Sequence, residues 1–277
     1  MKIRVLGSGG WEGTPGPFAK DKISKMAWEN PDKKEFRFRP CFEIENKNKS
    51  FLVEIPPDIR LISQKFNLPK INDFLVSHWH FDHMYGLLEL DSWAYRNPIT
   101  IHCSQKTNDW LEKNFAHIKK EINVLKPLKE VKINGVEIIP FPIYHMSRFD
   151  KDLKEEELEN TFGFVFDKKI AYMADFYKIP EISKKFLKNI DVLITDGTFL
   201  FEKEMPKEHP YLKRCDGRMF ADPDHLHDDD IFKVIEEINP KKVVFHSISN
   251  ILWKTHDEFQ KMLPENMFAS YDGMIID

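Results

Sequence analysis

The chain has 277 residues, 42% of them hydrophobic and 13% aromatic, which suffices for a real core and excludes a disordered protein. A formal net charge of -4 gives no global attraction to nucleic acid, and no apolar run approaches the roughly 20 residues that cross a bilayer. Cys41, Cys103 and Cys215 are too few and too scattered for a disulfide framework, and Met1–Leu6 reads as a strand and not a leader, so a cytoplasmic location is expected.

Short β-like runs punctuated by Gly, Pro and Asn fill the first half: Ile3–Leu6, Cys41–Glu45, Ser50–Ile55, Asp73–Ser77 and Pro98–His102. Val131–Ile133 and Val136–Ile139 flank Asn134-Gly135, a strong hairpin signal. Gly163–Phe166 and Lys169–Met173 flank a polar Asp167-Lys168 turn, which predicts a second hairpin. Helices are expected at Thr107–Lys120, Pro180–Asn189, Asp228–Ile238 and His256–Met262, the last two with apolar spacing near i, i+3, i+4. Strands with interspersed helices predict α/β or α+β layers, in a single domain over 1–277 without repeats. Two stretches read as insertions. Residues 11–39 are rich in Gly, Pro and charge, and residues 150–160 carry six acids against two lysines.

The chemistry concentrates in His78-Trp79-His80-Phe81-Asp82-His83. An apolar strand runs directly into His78, and residues i and i+2 of an extended chain face the same side, so His78 and His80 can grip one metal. The chain then turns into a helix start at Met84–Leu88, where Asp82 and His83 can splay toward a second metal. Imidazole with carboxylate suits zinc, manganese or iron and leaves room for water. Three more ligand types stand at the ends of apolar runs: His145, Asp175 and His246. Singly, each could equally be a satisfied core residue; together they complete a site for two divalent ions, zinc foremost.

With these residues in this order, the chain resembles the metallo-β-lactamase fold superfamily, whose hallmark is His-x-His-x-Asp-His. The resemblance implies a four-layer αββα sandwich with metals at one edge of the sheets. It implies His78, His80 and His145 on the first metal, Asp82, His83 and His246 on the second, and Asp175 bridging. Within the superfamily the chain looks most like the branch of phosphoribosyl cyclic phosphate phosphodiesterase, ribonuclease Z and pyrroloquinoline quinone B-type proteins. Val5–Gly10, Pro57–Arg60, Ala171–Asp175 and Tyr271–Met274 carry that likeness. Three departures stand out. A cysteine-rich zinc segment near the N-terminus is missing, Glu54 stands where the family has Asp, and Ser247–Asn250 replaces a further histidine after His246. Gly7, Gly9 and Gly10 fail a dinucleotide fingerprint, because Glu12 stands where the third glycine belongs.

The expected function is a metal-dependent phosphodiesterase acting on a small cyclic or nucleotide-like phosphate ester through a metal-bridging hydroxide. Asp82 and Asp175 help orient that nucleophile, so Asp82 is counted as catalytic as well as a ligand. A leaving alkoxide needs a proton. His225 in Asp224–His227 is the expected donor, as in ribonuclease Z-like members, with His227 second; the competing reading makes His225 a cap of the helix near Asp228. Arg39, Arg60 and Arg148 are the side chains to watch for anion binding. The alternatives are hydrolysis at carbon, as in lactonases and β-lactamases, or iron-dependent oxygenation on the same fold. A small phosphate ester is the expected partner. The acidic balance argues against long nucleic acid, no membrane contact is expected, and homodimer formation is left open.

Overall fold

The structure, a computed structural model, describes residues 1–145, 161–206, 225–226, 228–248 and 253–277. Arg148, His227 and the acidic stretch 150–160 lie outside the described residues.

Two seven-stranded mixed sheets carry the fold. The first takes strands β1 (Lys2–Gly7), β2 (Cys41–Asn46), β3 (Lys49–Val53), β4 (Asp73–Leu75), β5 (Thr100–Cys103), β6 (Glu121–Val124) and β14 (Ile275–Ile276), in the order β14-β1-β2-β3-β4-β5-β6. The second takes β7 (Val131–Ile133), β8 (Val136–Ile143), β9 (Thr161–Phe166), β10 (Ile170–Tyr172), β11 (Val192–Asp196), β12 (Lys242–His246) and β13 (Met267–Ala269), in the order β13-β12-β11-β10-β9-β8-β7. In each sheet antiparallel pairs give way to parallel ones, at β3–β4 and at β10–β11. Parallel strands send their C-terminal ends to one edge, where loops of α/β sheets hold ligands.

Both hairpins form as their turn residues require. Asn134 and Gly135 take φ 51° and 83°, and Asp167 and Lys168 take 46° and 58°, the left-handed values of tight hairpin turns. Between the sheets lies one apolar layer in which Val5, Phe42, Phe51 and Leu75 meet Phe162, Phe164, Tyr172 and Val244. The outer faces are covered by helices. On the first sheet these are α2 (Ile59–Lys65), α3 (Phe81–Met84), α4 (Leu87–Ala94) and α5 (Gln105–Asn114), through residues such as Ile62, Met84, Leu87 and Leu111. On the second they are α6 (Glu181–Leu187) and α7 (Asp228–Ile238), through Leu187, Ile231, Ile235 and Ile238. This is the expected αββα sandwich. A short α1 (Lys22–Glu29) forms inside the 11–39 insertion, capped by the Asp21 side chain, and α8 (His256–Gln260) is closed by a Thr255/Glu258 capping box.

Helix bounds differ from the sequence reading in one instructive place. The helix expected at Thr107–Lys120 spans Gln105–Asn114. The Ser104 hydroxyl accepts from Thr107 N and starts it early, and Phe115 ends it so that Glu121–Val124 can pair with β5. Among the described residues no helix is long and apolar enough to cross a membrane.

Candidate metal centre

The site is assembled from loops at strand ends. After β4 the chain passes through buried Ser77 to His78, and His80 takes an extended conformation (φ -64°, ψ 154°) as the N-cap of the one-turn helix α3. That turn puts Asp82 and His83 side by side and buried. The turn is pinned from both ends: Ile55 N donates to His83 O at 2.6 Å, and Gly86 N donates to Ile55 O at 2.9 Å. Gly86 is needed here, because a Cβ on it would lie 2.1 Å from Pro56 O. His145 follows β8, and Asp175 follows β10.

Three overlapping groups result. One ligand atom each from His78, His80, His145 and Asp175 lie within 4.8 Å of one another; so do those of Asp82, His83 and Asp175, and those of Asp175, Asp196 and His225. Asp175 belongs to all three. His145 Nε2 lies 2.9 Å from His80 Nδ1, and Asp175 Oδ2 lies 3.4 Å from His83 Nε2, 3.9 Å from His145 Nε2 and 3.9 Å from His225 Nε2.

Burial and charge explain the protonation of the group. Burial, reinforced by the neighbouring histidines, holds His78 well below the ordinary histidine value and brings His80 down to about 3. His83 goes the other way. Burial opposes its charge, but Asp82, Asp175 and Glu54 outweigh burial and push it well up. For Asp175 burial favours the neutral acid, yet the facing His83 and His225 hold its carboxyl well below the usual range.

These residues fit divalent ions. His78 Nε2 and both ring nitrogens of His83 are buried without a hydrogen-bond partner. Each buried polar group left bare costs about 1–3 kcal/mol, so the bare Nε2 atoms of His78 and His83 point to cation-holding atoms. The outer contacts agree. Ser77 Oγ meets His78 Nδ1 at 2.8 Å, leaving Nε2 free, and Glu54 Oε1 lies 3.5 Å from His83 Nδ1, leaving Nε2 to face Asp82 and Asp175.

The structure brings together His78, His80, Asp82, His83, His145, Asp175 and His225. It does not bring His246 to them. His246 ends β12 fully buried, donates from Nε2 to Met173 O at 2.8 Å, and meets Ser247 Oγ through Nδ1 at 2.8 Å. Its ring stacks on Tyr172 in the inter-sheet layer. A metal on either nitrogen would break one of those bonds, and the Nε2 bond satisfies a backbone carbonyl. Asp196, which the sequence reading passed over, takes part instead. It ends β11 beside His246 in the parallel register, and His225 Nδ1 donates to its Oδ2 at 2.6 Å. The signal was present, because Val192–Thr195 is an apolar run ending on a carboxylate, as with Asp175. Glu54, noted only as a departure, is a supporting group. It is fully buried, accepts from Tyr172 Oη at 3.0 Å and Ser77 N at 3.3 Å, and faces His83.

Of the arginines, Arg39 is paired with Asp58 and donates to Trp11 O, while Arg60 is paired with Glu89. Both are occupied by protein partners. A separate cavity of about 610 Å³ lies against the 11–39 insertion, lined by Gly13, Phe18, Trp28, Phe38, Arg39 and Asp58 among others, and by none of the clustered histidines.

Two facing sheets, helices on both outer faces and a His/Asp cluster at the strand ends define a metallohydrolase-type fold. Residues 56–248 match the family described as "Beta-lactamase superfamily domain", and the chain belongs to that superfamily, whose metal-binding hydrolases share this architecture. It is similar to an octanoyltransferase of Porphyromonas gingivalis, 24% identical over 290 residues; that match takes in all of this chain but 52% of the relative, so the chain spans about half its length. Two solved structures share the fold. Zn(2+)-bound PqqB from Methylobacterium extorquens superposes with a TM-score of 0.80 at 19% identity over 100% of both chains. A diphosphatase from the PhnP family superposes with a TM-score of 0.78 at 23% identity over 99% of this chain and 96% of the other.

Proposed function

We propose that this protein is a phosphodiesterase acting on a small cyclic or nucleotide-like phosphate ester with two divalent ions, zinc foremost. The observation that carries the reading is Asp175, a carboxylate common to two ligand groups and to the His225–Asp196 pair. His78, His80 and His145 would hold one ion, Asp82 and His83 the other, and Asp175 both. Bound there, such ions bring the pKa of water down to about 7 and neutralise charge on a phosphoryl oxygen. Asp82 and Asp175 would orient the attacking oxygen by accepting a hydrogen bond from it. Beside Asp175, His225 stands with Nδ1 committed to Asp196, so Nε2 is the atom that exchanges a proton. Protonated on both nitrogens, the ring would carry a donatable proton on Nε2 while the Asp196 carboxylate stabilises the imidazolium, and it would then suit protonation of a leaving alkoxide, the step that phosphodiester cleavage demands. The similar fold of a diphosphatase supports phosphorus as the centre attacked.

A second reading is hydrolysis at carbon, and the match to half of an octanoyltransferase, a protein named for an acyl group, favours it. Turnover of bis-p-nitrophenyl phosphate set against a panel of lactones, acyl esters and nitrocefin separates the two. Phosphodiester turnover above all carbon substrates supports the proposal. Its absence with zinc, manganese and iron alike would overturn it.

A further inference from the structure

We infer that Trp11 and Phe81 form a stacking subsite for a planar heteroaromatic ring of the substrate, a nucleobase, at the mouth of the metal centre. The inference rests on the phosphate-ester reading and narrows its substrate class. Phe81 sits in the metal loop between His80 and Asp82. Asp82 and His83 turn inward and are buried, whereas the Phe81 side chain turns out and is 38% exposed. His80 is itself half-buried, so the cluster opens on this side. Trp11, from the insertion after β1, meets Phe81 edge to face, with ring centroids 6.3 Å apart and planes at 75°, and remains 51% exposed. Tyr85 also meets the Phe81 ring, at a steep angle of 87°.

The pair is held in place. Arg39 Nε donates to Trp11 O at 2.8 Å, and Arg39 is gripped by both oxygens of Asp58. The preceding Gly10 N donates to Ile248 O at 3.2 Å, and Gly13 N closes the turn on Gly10 O at 2.9 Å. An ion-paired arginine and two backbone bonds thus fix the backbone that carries Trp11, whose side chain is half-exposed. Preorganised, half-exposed aromatic rings are what stacking on a flat π-system requires.

The shape of this corner chooses among ligands. It offers two aromatic rings set at a steep angle, each partly exposed to water. A nucleobase stacked there buries one face and keeps its polar edge hydrated. An alkyl chain gains most from enclosure on all sides, which two partly exposed rings do not give, and a bare sugar has no π face to offer.

The test is calorimetric binding of AMP and of ribose 5-phosphate to the zinc-loaded full chain, in the wild type and in Trp11→Leu and Trp11→Phe. The two ligands share the phosphate and sugar and differ in the base. AMP is expected to bind about tenfold tighter or more, the gain of one base–aromatic stack. Trp11→Leu, which keeps apolar volume without the ring, should bring AMP to the level of ribose 5-phosphate, and Trp11→Phe should retain most of the preference. Equal binding of the two ligands by the wild type, or an undiminished preference in Trp11→Leu, would overturn the inference. A protein that never turns over a phosphodiester can still show the AMP preference, so the two claims fail separately.

Discussion

His225 Nδ1 lies 2.6 Å from Asp196 Oδ2, and the same ring presents Nε2 to Asp175 at 3.9 Å. A histidine bonded this way has a fixed orientation and a carboxylate that stabilises its imidazolium, the form that can give a proton from Nε2 to a reacting centre. Asp196→Asn removes the negative charge that stabilises a protonated His225 and lets an amide N–H face Nδ1 in place of an acceptor. Its kcat with bis-p-nitrophenyl phosphate should fall about 100-fold or more, while bound zinc, read by elemental analysis, stays at the wild-type level. Loss of zinc in step with activity would make the pair part of the metal-holding set instead.

His246 gives the opposite expectation. Both its ring nitrogens are engaged, with Met173 O and Ser247 Oγ. His246→Leu should therefore retain two zinc ions per chain and lose stability, since the buried Met173 carbonyl loses its donor at a cost of about 1–3 kcal/mol. A variant that stays as stable as wild type but binds one zinc would show that His246 turns to the metal.

Glu54 acts through His83. Its Oε1 stands 3.5 Å from His83 Nδ1 and accepts from Tyr172 Oη at 3.0 Å. Glu54→Gln keeps the size but removes the charge that fixes the His83 tautomer. Zinc affinity in a competition with a chelator should drop about 10–100-fold, the usual effect of a group that orients a ligand from behind. An unchanged affinity would leave Glu54 a packing residue only.

A buried pair far from the metal loop sets a pH dependence. Arg37 Nη2 donates to His256 Nδ1 at 3.0 Å, so that nitrogen must be free of a proton. Burial first, then Arg37 and Lys34, bring His256 down to about 3. A base whose value is lowered by folding contributes stability that is complete above its unfolded value of about 6.5. That contribution is lost as pH falls from about 6.5 toward 3, because the unfolded chain takes up a proton that the folded chain refuses. His256→Gln keeps an acceptor for Arg37 and does not titrate. The fall in melting temperature between pH 7 and pH 5, both proteins zinc-loaded, should be shallower in His256→Gln than in wild type. Parallel curves would contradict this.

The sandwich was legible because its signals are local. Asn134-Gly135 and Asp167-Lys168 dictate their turns, and an apolar strand running into His78-x-His80-x-Asp82-His83 leaves few uses for those side chains. The far side of the site was less legible. Asp196 and His246 carry the same signature, a polar residue closing a buried parallel strand, and they sit side by side in register. What separates them is tertiary. Tyr172 and Phe42 pack on the His246 ring and Met173 O accepts from it, while Asp196 faces His225 from a distant stretch of chain. Arg39 has the structural role that is the commoner one for an arginine, but its partners Asp58 and Trp11 come from separate elements and were not legible in the sequence.

The central claim is a two-ion phosphodiesterase site built on Asp175. It is tested most directly by stripping the protein with chelator, titrating zinc back, and following hydrolysis of bis-p-nitrophenyl phosphate. Activity should be absent in the stripped protein, rise to a plateau at about two equivalents of zinc, matching the two ligand groups, and stay absent in Asp175→Asn at every zinc level. Full turnover in Asp175→Asn, or none in the wild type with zinc, manganese or iron, would contradict the account.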